Sequence, residues 1–391
     1  MKQVLSFSNK DLLYEDRKLS EVALINPSST VPSEFEYVDL ESVSGTEMIR
    51  HRLEHKETAP SRAQRLAKRG DIFYQTVRPY QKNNYFFDMD EDNYVFSTGY
   101  AQIRPQINGK YLFTLLQSDA FLGQVLDYCA GTSFPAINPS ILSNLLIRVC
   151  TNQQEQELIA KFFVYYDNII STASSRLASL KQVKEASLQA MFPQKGETVP
   201  KIRFKGFEGE WVITKAAEIF KTVNERNFSG LPVLSATQDK GMVTRDSIGY
   251  NIFHDKSNES TYKHIVPGQF VMHLRSFQGG FAHSAIEGIC SPAYTIMEFK
   301  DKEKNHDLYW KYVLTSKRFI KSLEMITYGI RDGRTISFDE FKEMVFLVPK
   351  VEEQQQIASY FTSLDKQIAL QTQRLEKLKQ IKAACLDKMF V

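Results

Sequence analysis

Cysteine is scarce in this 391-residue chain, and no two cysteines form a CxxC pair. The four lie at Cys129, Cys150, Cys290 and Cys385. Such scattered positions indicate neither a zinc site nor a disulfide framework. The cysteine usage therefore predicts a protein of the reducing cytoplasm.

Long apolar runs and a phosphate-binding loop are also missing. The amino-terminal stretch MKQVLSFSNKDLLYEDRK carries acids where a signal peptide needs an unbroken apolar core. No window approaches the ~18 apolar residues of a membrane span. No GxxxxGKS or GxxxxGKT motif is present to bind ATP phosphates. We therefore expect a cytosolic chain without a nucleotide site of its own.

The numbers of positive and negative side chains are nearly equal, and the net charge is +3. The net charge therefore predicts no general affinity for polyanions. One segment differs from the rest. Between Arg50 and Lys82 there are nine Lys or Arg residues and three acids. A local surplus of this size can attract phosphates, although a solvated surface is the commoner explanation.

What the chain does contain is a long internal repeat. RLASLKQVKEASLQAMF (176–192) matches RLEKLKQIKAACLDKMF (374–390), and identities at a constant offset of 198 extend the match to 155–193 and 353–391. Apolar residues recur alternately four and three apart, and neither copy has Pro or Gly before Pro193. Each copy is therefore predicted to be a helix of about 39 residues, roughly 58 Å long.

A helix of that length has no core of its own, so each copy needs a partner. We expect the two copies to pair antiparallel; packing of each on its own domain, or a homodimer, is the alternative. Near Lys184 and Lys382 the apolar stripe weakens, and Val183, Leu188, Ile381 and Leu386 are expected to take over the apolar face. The residues predicted to pack between the helices are Ile159, Phe163, Tyr166, Ile170, Leu177, Leu180, Ile357, Phe361, Leu364, Ile368, Leu375 and Leu378.

The segments ahead of the helices form a weaker repeat. RGDIFYQTVRPYQ (69–81) lies against PGQFVMHLRSFQ (267–278), each a glycine, an apolar strand and an arginine. Helical patterns follow in both, and the short apolar strands LLIRVC and MVFLVP precede the helices. The chain therefore reads as unit, helix, unit, helix.

This order resembles the specificity subunit of type I restriction-modification enzymes. The residues that carry the resemblance are VPKIRFKGFEGEW (199–211), SRAQRLAKRGDIFYQTVRPYQKN (61–83) and the helices that begin with an EQ..IA pattern. The amino terminus departs from the family, because the usual counterpart of PKIRFKGFEGEW is missing there. The structure of the first ~20 residues is therefore left open.

The resemblance implies an α+β fold with a pseudo-twofold internal repeat. It implies two α/β target-recognition domains, at 1–150 and 194–350, and two long antiparallel helices, at 151–193 and 351–391, that form a coiled coil. Each domain would read one half of a bipartite DNA site, and the helices would set the spacer between the halves. The helices would also dock two methyltransferase subunits that methylate adenines, and through them the restriction and translocase subunits. S-adenosylmethionine, ATP and Mg would be bound only by those partner subunits.

Direct reading of bases needs Arg, Lys, Asn, Gln, Ser or Thr on elements that reach the major groove. Any one such residue is more often plain surface than a base contact. As a set, the candidates are Arg62, Gln64, Arg65, Arg78, Tyr80, Lys82, Asn83, Asn84, Thr132 and Ser133 in the first unit, with His273, Arg275, Ser276, Gln278, Arg331 and Arg334 in the second.

Three short patterns partly match enzyme motifs, but none forms a convincing catalytic site. HRLEH (51–55) matches the HxxEH pattern of zinc peptidases, but its flanks lack the apolar face of a buried helix and an evident third ligand. MEFK (297–300) has no convincing upstream Asp for a nuclease, and INPS (137–140) only partly matches an amino-methyltransferase motif. A stand-alone methyltransferase or nuclease, and a coiled-coil scaffold without a DNA role, are the alternatives to a non-catalytic DNA reader.

Overall fold

The fold comes from a computed structural model that describes residues 14–131, 133–248, 256–273, 276–327 and 336–390. The chain divides into two compact units. Unit 1 comprises Met1–Ser175 and Thr372–Val391, and unit 2 comprises Arg176–Gln371. Both long helices cross this division, so each unit contains part of both. None of the helices in the described ranges is long and apolar enough to span a bilayer.

Unit 1 is built on two four-stranded sheets. Its strands are β1 (Tyr14–Lys18), β2 (Ala23–Ile25), β3 (Glu34–Val38), β4 (Val43–Ser44), β5 (Glu47–Met48), β6 (Arg52–His55), β7 (Ala63–Leu66), β8 (Ile72–Gln75), β9 (Tyr85–Phe86), β10 (Tyr94–Ser97), β11 (Tyr100–Pro105) and β12 (Leu146–Cys150). The sheets have the orders β2-β11-β8-β9 and β6-β3-β10-β7, and β1 pairs with β12, and β4 with β5, as separate ribbons. Its helices are α1 (Leu19–Val22), α2 (Gly109–Leu115), α3 (Asp119–Asp127), α4 (Pro139–Leu142) and the first part of α5 (Gln153–Ala190).

Unit 2 repeats this plan. Its strands are β13 (Val212–Lys215), β14 (Phe220–Val223), β15 (Val233–Thr237), β16 (Gly241–Thr244), β17 (Lys263–Ile265), β18 (Phe270–Met272), β19 (Ala282–His283), β20 (Gly288–Cys290), β21 (Thr295–Phe299) and β22 (Val345–Val348). The sheets β14-β21-β18-β19 and β16-β15-β20-β17, with the ribbon β13-β22, have the strand orders of unit 1. Its helices are α6 (Ala216–Ile219), α7 (Ser276–Gly279), α8 (Asp307–Leu314), α9 (Lys317–Thr327), α10 (Phe338–Phe341) and the first part of α11 (Val351–Met389). The predicted α+β internal repeat is confirmed.

The central strand β8 separates two cores in unit 1. Because strand side chains alternate between faces, Ile72 and Tyr74 pack with α2, α3 and the start of α5, whereas Phe73 faces the other way. On that second face Phe73 stacks on Phe96 with ring centroids 3.6 Å apart. Both cores are rich in fully buried aromatic residues. This burial makes the sheet a rigid support for the loops at its edges.

A buried glutamine attaches the start of each long helix to its own unit. In unit 1, Gln156 accepts a hydrogen bond from the backbone N–H of Asn108 (3.1 Å) and donates to the carbonyl of Cys150 (2.7 Å). In unit 2, Gln354 accepts from the N–H of His306 (2.9 Å) and donates to the carbonyl of Pro349 (3.0 Å). The equivalent glutamine thus binds backbone groups of corresponding segments in both units, which attaches each helix to its sheet.

The long helices run antiparallel within each unit. In unit 1, Phe163 packs on Phe390 and Asp167 pairs with Lys382. The residue numbers therefore rise along α5 in the direction in which they fall along α11. In unit 2, Phe361 packs on Phe192 and Asp365 pairs with Lys184 in the same sense. All twelve residues predicted to pack between the helices are buried or half-buried.

The interruption of the apolar stripe has an electrostatic explanation. Lys184 Nζ lies 2.5 Å from Asp365 Oδ1, and the equivalent Lys382 pairs with Asp167. The expected shift of the seam is only half right, because Leu188 and Leu386 pack in the cores while Val183 and Ile381 are 47% and 36% exposed. At these positions a lysine with its carboxylate partner, and not a neighbouring aliphatic residue, fills the contact between helices.

The residues ahead of each sheet differ between the units. In unit 2, Trp211 is buried and Arg203 forms an ion pair with Glu353 on α11. In unit 1, the described chain begins at Tyr14, whose hydroxyl donates to the equivalent Glu155 on α5 (3.0 Å). The equivalent glutamates Glu155 and Glu353, each in the first turn of its helix, are therefore held by different partners in the two units. Residues 1–13 lie outside the described residues.

Candidate nucleic-acid interface

Acids of unit 1 neutralise part of the basic segment between Arg50 and Lys82. The paired cations are Arg50 with Glu41 (2.6 Å), Arg52 with Asp39 (2.8 Å), Arg69 with Asp90 (2.5 Å) and Lys82 with Asp119 (2.5 Å). No acid among the described residues pairs with the other five, which are Lys56, Arg62, Arg65, Lys68 and Arg78. The positive charge available to a polyanion therefore lies on these five side chains.

Three of the predicted DNA-contacting residues lie at strand β7, which is at the edge of its sheet and pairs with β10 alone among the strands that the structure describes. Arg62 and Gln64 are exposed, and Gln64 Nε2 donates to the carbonyl of Ser61 (2.7 Å). Arg65 is half-buried, its Nε has no hydrogen-bond partner in the described part of the chain, and burial lowers its pKa. An unpaired guanidinium nitrogen is costly, so the site favours a ligand that supplies an oxygen acceptor to this side chain.

A second group of predicted residues forms the loop from Arg78 to Lys82, around the 3₁₀ turn Pro79–Gln81. Both ends of this loop have left-handed backbone conformations, with φ of 55° at Arg78 and 53° at Lys82. Such angles are uncommon for residues other than glycine and persist only where the surroundings enforce them. Tyr80, at the tip, is 51% exposed. A strained, exposed loop with a cation and an aromatic ring is suited to contact with a ligand.

Side-chain amides hold this loop in place. The backbone N–H of Gln75 donates to Asn84 Oδ1 (2.8 Å), and Asn84 Nδ2 donates to Gln117 Oε1 (3.3 Å). Gln75 Nε2 in turn donates to Gln81 Oε1 (2.8 Å). Asn84 is 1% exposed, so we reassign it from base contact to support of the loop.

Two further predicted residues are also engaged within unit 1. Asn83 Oδ1 accepts a hydrogen bond from the N–H of Gly45 (2.8 Å), and Lys82 Nζ donates to the carbonyl of Gln117 (3.0 Å) as well as to Asp119. Both side chains thus hold the loop against neighbouring segments. Among the predicted loop residues, the side chains of Arg78 and Tyr80 form no hydrogen bond or ion pair with the described residues.

The sequence argument missed an exposed aromatic residue beside Arg78. Phe134 is 60% exposed, and the guanidinium carbon of Arg78 lies 4.4 Å from its ring centroid. The backbone N–H of Arg78 donates to the carbonyl of Pro135 (2.7 Å), which joins the two loops. The neighbouring Ser133 is exposed, and Thr132 lies outside the described residues. The quoted loop AGTSFPAIN contains Phe134, but nothing in the linear order places its ring under Arg78.

The predicted residues of unit 2 are placed differently. His273 and Ser276 are buried, and the backbone N–H of His273 donates to Ser276 Oγ (2.8 Å). Both residues therefore stabilise the fold of unit 2 at this point. Gln278 is exposed and its Oε1 accepts from Gln238 Nε2 (2.8 Å). Arg275, Arg331 and Arg334 lie outside the described residues.

A histidine fixes an exposed loop of unit 2. His264 stacks on Phe228 with centroids 3.8 Å apart, and its ring nitrogens lie 3.0 Å from Glu225 and 2.9 Å from Glu287. Burial alone lowers the pKa of His264, but the hydrogen bonds to the two carboxylates outweigh burial and raise it. Asn227, between Glu225 and Phe228, has a φ of 70°, so this loop too has an enforced left-handed residue.

The pattern HRLEH lies in a strand and not in a helix. His51 Nδ1 is 2.8 Å from Glu36, and His55 Nδ1 is 3.5 Å from Glu34. Both glutamates lie on the adjacent strand β3. Four residues of extended chain span about 13 Å, too far for two ligands of one metal ion. No cluster of metal-ligating side chains occurs in the ranges that the structure describes. The zinc interpretation is therefore not supported at this pattern.

The fold and the site define a class of protein in which two similar α+β units share a pair of long helices. The family model for the Type I restriction modification DNA specificity domain matches residues 14–182 and 208–380. These two ranges cover most of the chain and correspond to the two repeats. The chain belongs to this family of DNA specificity domains.

Two type I restriction enzyme specificity subunits are similar to this chain in sequence, at low identity. The Type I restriction enzyme HindI specificity subunit of Haemophilus influenzae is 26% identical over 162 residues, which are 40% of this chain and 35% of that protein. The MjaVIII specificity subunit of Methanocaldococcus jannaschii is 23% identical over 278 residues, 66% of this chain and 64% of that protein. The matches thus span less than two thirds of either relative.

Solved structures share the fold over nearly the whole chain. The S subunit of a type I restriction-modification system from M. genitalium matches with a TM-score of 0.62 at 12% identity, covering 98% of this chain and 97% of that one. A chain from work on complex assembly and conformational transition of the type I R-M system matches with a TM-score of 0.57 at 21% identity, covering 97% of each. At these identities the likeness establishes the fold alone.

Proposed function

We propose that this chain is the DNA specificity subunit of a type I restriction-modification complex and carries out no catalysis itself. The observation that carries the proposal is the family match over both repeats, each of which folds into the same pair of sheets. Unit 1 and unit 2 would each read one half of a bipartite DNA site. The long helices would set the length of the spacer between the halves. The cytoplasm, where the DNA is accessible, is the proposed location.

The partners follow from the same proposal. Methyltransferase subunits would use S-adenosylmethionine to methylate adenines in the site, and restriction subunits would use ATP and Mg. This chain would need no cofactor of its own. A stand-alone methyltransferase or nuclease is the competing proposal, and methylation or cleavage of DNA by the purified chain alone would favour it.

The unpaired cations of unit 1 support a DNA-binding surface. Replacing Arg62 with alanine should weaken binding uniformly across DNA sequences and reduce the slope of log affinity against log salt by about 1, because one phosphate contact releases about one counterion. The measurement is a salt titration of duplex binding by the chain with its methyltransferase partner bound.

Arg69→Ala is the matched control for that experiment. Arg69 belongs to the same basic segment, but Asp88 and Asp90 already hold its guanidinium at 3.2 and 2.5 Å. We expect its salt slope to stay at the wild-type value. Equal slopes for Arg62→Ala, Arg69→Ala and wild type would argue against a phosphate contact at Arg62 and weaken the proposal.

An apolar stripe on the outer side of α5 supports a docking surface for a methyltransferase subunit. Leu158 and Tyr165 are 65% and 63% exposed, and Phe162 between them is 37% exposed, at helical spacings of four and three residues. The equivalent positions of α11 do not form such a stripe, because they are Gln356, Tyr360 and Ser363 and the ring of Tyr360 packs against Phe204. Exposed apolar stripes of this kind mark interfaces between proteins.

Replacing Leu158 with glutamate should therefore weaken the binding of the methyltransferase subunit that docks at unit 1 by about tenfold, because a charge would be buried in the interface. A methyltransferase subunit docked at unit 2 should be retained, so the stoichiometry should fall from two to one. The fold should be unaffected, since the side chain faces solvent. Val183→Glu serves as the control, an exposed aliphatic residue elsewhere on the same helix. Native mass spectrometry of the two assemblies gives the stoichiometry. Unchanged stoichiometry for Leu158→Glu would place the docking surface elsewhere.

A further inference from the structure

Phe134 is an apolar side chain presented to solvent by a constrained loop. An isolated bridge pairs Ala130 with Ala136, and another pairs Ala136 with Val77. The loop between is thereby closed at its base and tied to the strand end that leads into Arg78. The Phe134 ring is 60% exposed, so a partner that covers it would remove apolar surface from water.

Arg78 is positioned by the same contacts. Its left-handed backbone angle and the hydrogen bond from its N–H to Pro135 bring its guanidinium over the Phe134 ring, 4.4 Å from the centroid. At this distance the cation and the ring attract each other, and the guanidinium retains N–H donors that form no hydrogen bond with the described residues. No acid among the residues in the described ranges pairs with it. The pair therefore offers donors and an apolar face side by side.

The two side chains are close enough together to reach neighbouring base pairs. The guanidinium carbon and the Phe134 ring centroid are 4.4 Å apart, and successive base pairs are about 3.4 Å apart along B-form DNA. In the major groove, guanine presents O6 and N7 as acceptors for arginine, and thymine presents its C5-methyl group to apolar side chains. Two side chains this close together can thus contact two adjacent base pairs at once.

Resting on the proposed function, we propose that Arg78 and Phe134 together read a thymine next to a guanine in the half-site recognised by unit 1. Arg78 donates to guanine O6 and N7, and Phe134 covers the thymine methyl group. Unit 2 has an arginine after the equivalent strand, Arg275, but it lacks the aromatic partner in sequence, because Asp332 stands 198 residues beyond Phe134. The discrimination therefore belongs to one half-site only.

The test uses the full chain with its methyltransferase partner bound, on a site found by mapping methylated adenines with and without this gene. Each thymine of the site is replaced in turn by deoxyuridine, which removes only the methyl group. We expect one position, in the half-site of unit 1, to lose about fourfold in affinity, the effect of one buried methyl group. In Phe134→Ala this loss disappears, because the ring that senses the methyl group is gone.

Arg78→Ala tests the other half of the pair. It should weaken binding by about 5- to 150-fold and make the adjacent guanine insensitive to replacement by 7-deazaguanine, which lacks the N7 acceptor. Tyr128→Ala is the matched control, since Tyr128 is an exposed aromatic residue of the same unit (58%) over which no described cation lies. It should keep the response to deoxyuridine. Retained discrimination in the half-site of unit 2 shows that each variant is folded.

The outcomes separate the two proposals. Site-specific binding by wild type with no thymine sensitive to deoxyuridine, a unit 1 half-site without a thymine beside a guanine, or sensitivity that persists in Phe134→Ala would each overturn the pair as a reader. Absence of any site-specific binding by wild type would instead overturn the proposed function.

Discussion

Arg203→Ala should lower the free energy of unfolding of unit 2 by about 3–5 kcal/mol, because it removes one partner of a buried ion pair. The Glu353 side chain is 1% exposed, and the Arg203 guanidinium binds both of its oxygens, at 2.7 and 2.8 Å. Arg203 also donates to the carbonyl of Gly209 (2.6 Å), so the same side chain orders the segment that leads to Trp211. The carboxylate at the start of α11 would be left without its charged partner.

Chemical denaturation with hydrogen exchange resolved by unit would measure this loss. Lys215→Ala is the control within unit 2, because its ion pair with Glu343 (3.0 Å) has side chains 54% and 62% exposed and should contribute little. The double variant Arg203→Met with Glu353→Gln should recover part of the stability, because no unpaired charge is left buried. A loss for Arg203→Ala no larger than that for Lys215→Ala would show that Glu353 finds another partner.

Phe390→Ala should destabilise unit 1 by about 3–5 kcal/mol, although it changes the next-to-last residue of the chain. Phe390 is 8% exposed, and its ring lies 5.7 Å from that of Tyr111 and 6.1 Å from that of Phe163. The end of α11 therefore completes the core of unit 1. Removing the ring leaves a cavity that the helix and sheet around it can only partly close.

The measurement is again unfolding resolved by unit, with unit 2 expected to be unchanged. Tyr165→Ala, which truncates an exposed aromatic residue on α5, is the control and should have a small effect on stability. Phe163→Ala combined with Phe390→Ala should cost less than the sum of the single changes, because the two rings are in contact. Strict additivity would mean that the two rings are energetically independent.

Phe192 repeats the role of Phe390 in unit 2. Its ring lies 5.8 Å from that of Tyr309 and 6.1 Å from that of Phe361, positions 198 residues beyond Tyr111 and Phe163. The end of α5 thus packs beside the start of α11 in unit 2, as the end of α11 packs beside the start of α5 in unit 1. This reciprocal use of one phenylalanine explains why the repeat continues to the last residues of both copies.

The sequence alone determined the repeat, the two long helices and their apolar stripes. These are linear properties: a constant offset of 198, a spacing of four and three, and the scarcity of Pro and Gly can be read without knowing any distant contact. The strands ahead of the helices were predicted for the same reason. The antiparallel direction was a further inference from the need of each helix for a partner, and the contacts within each unit confirm it.

Only the tertiary structure decided which of the candidate residues are available to DNA. Whether a lysine is neutralised, as Lys82 is by Asp119, depends on a contact 37 residues away in the sequence. Asn84 is buried because distant amides surround it, and Phe134 lies under Arg78 because two loops are joined by backbone hydrogen bonds. Residue type and spacing predict which elements form, but pairing among distant polar side chains depends on where the folded backbone places them.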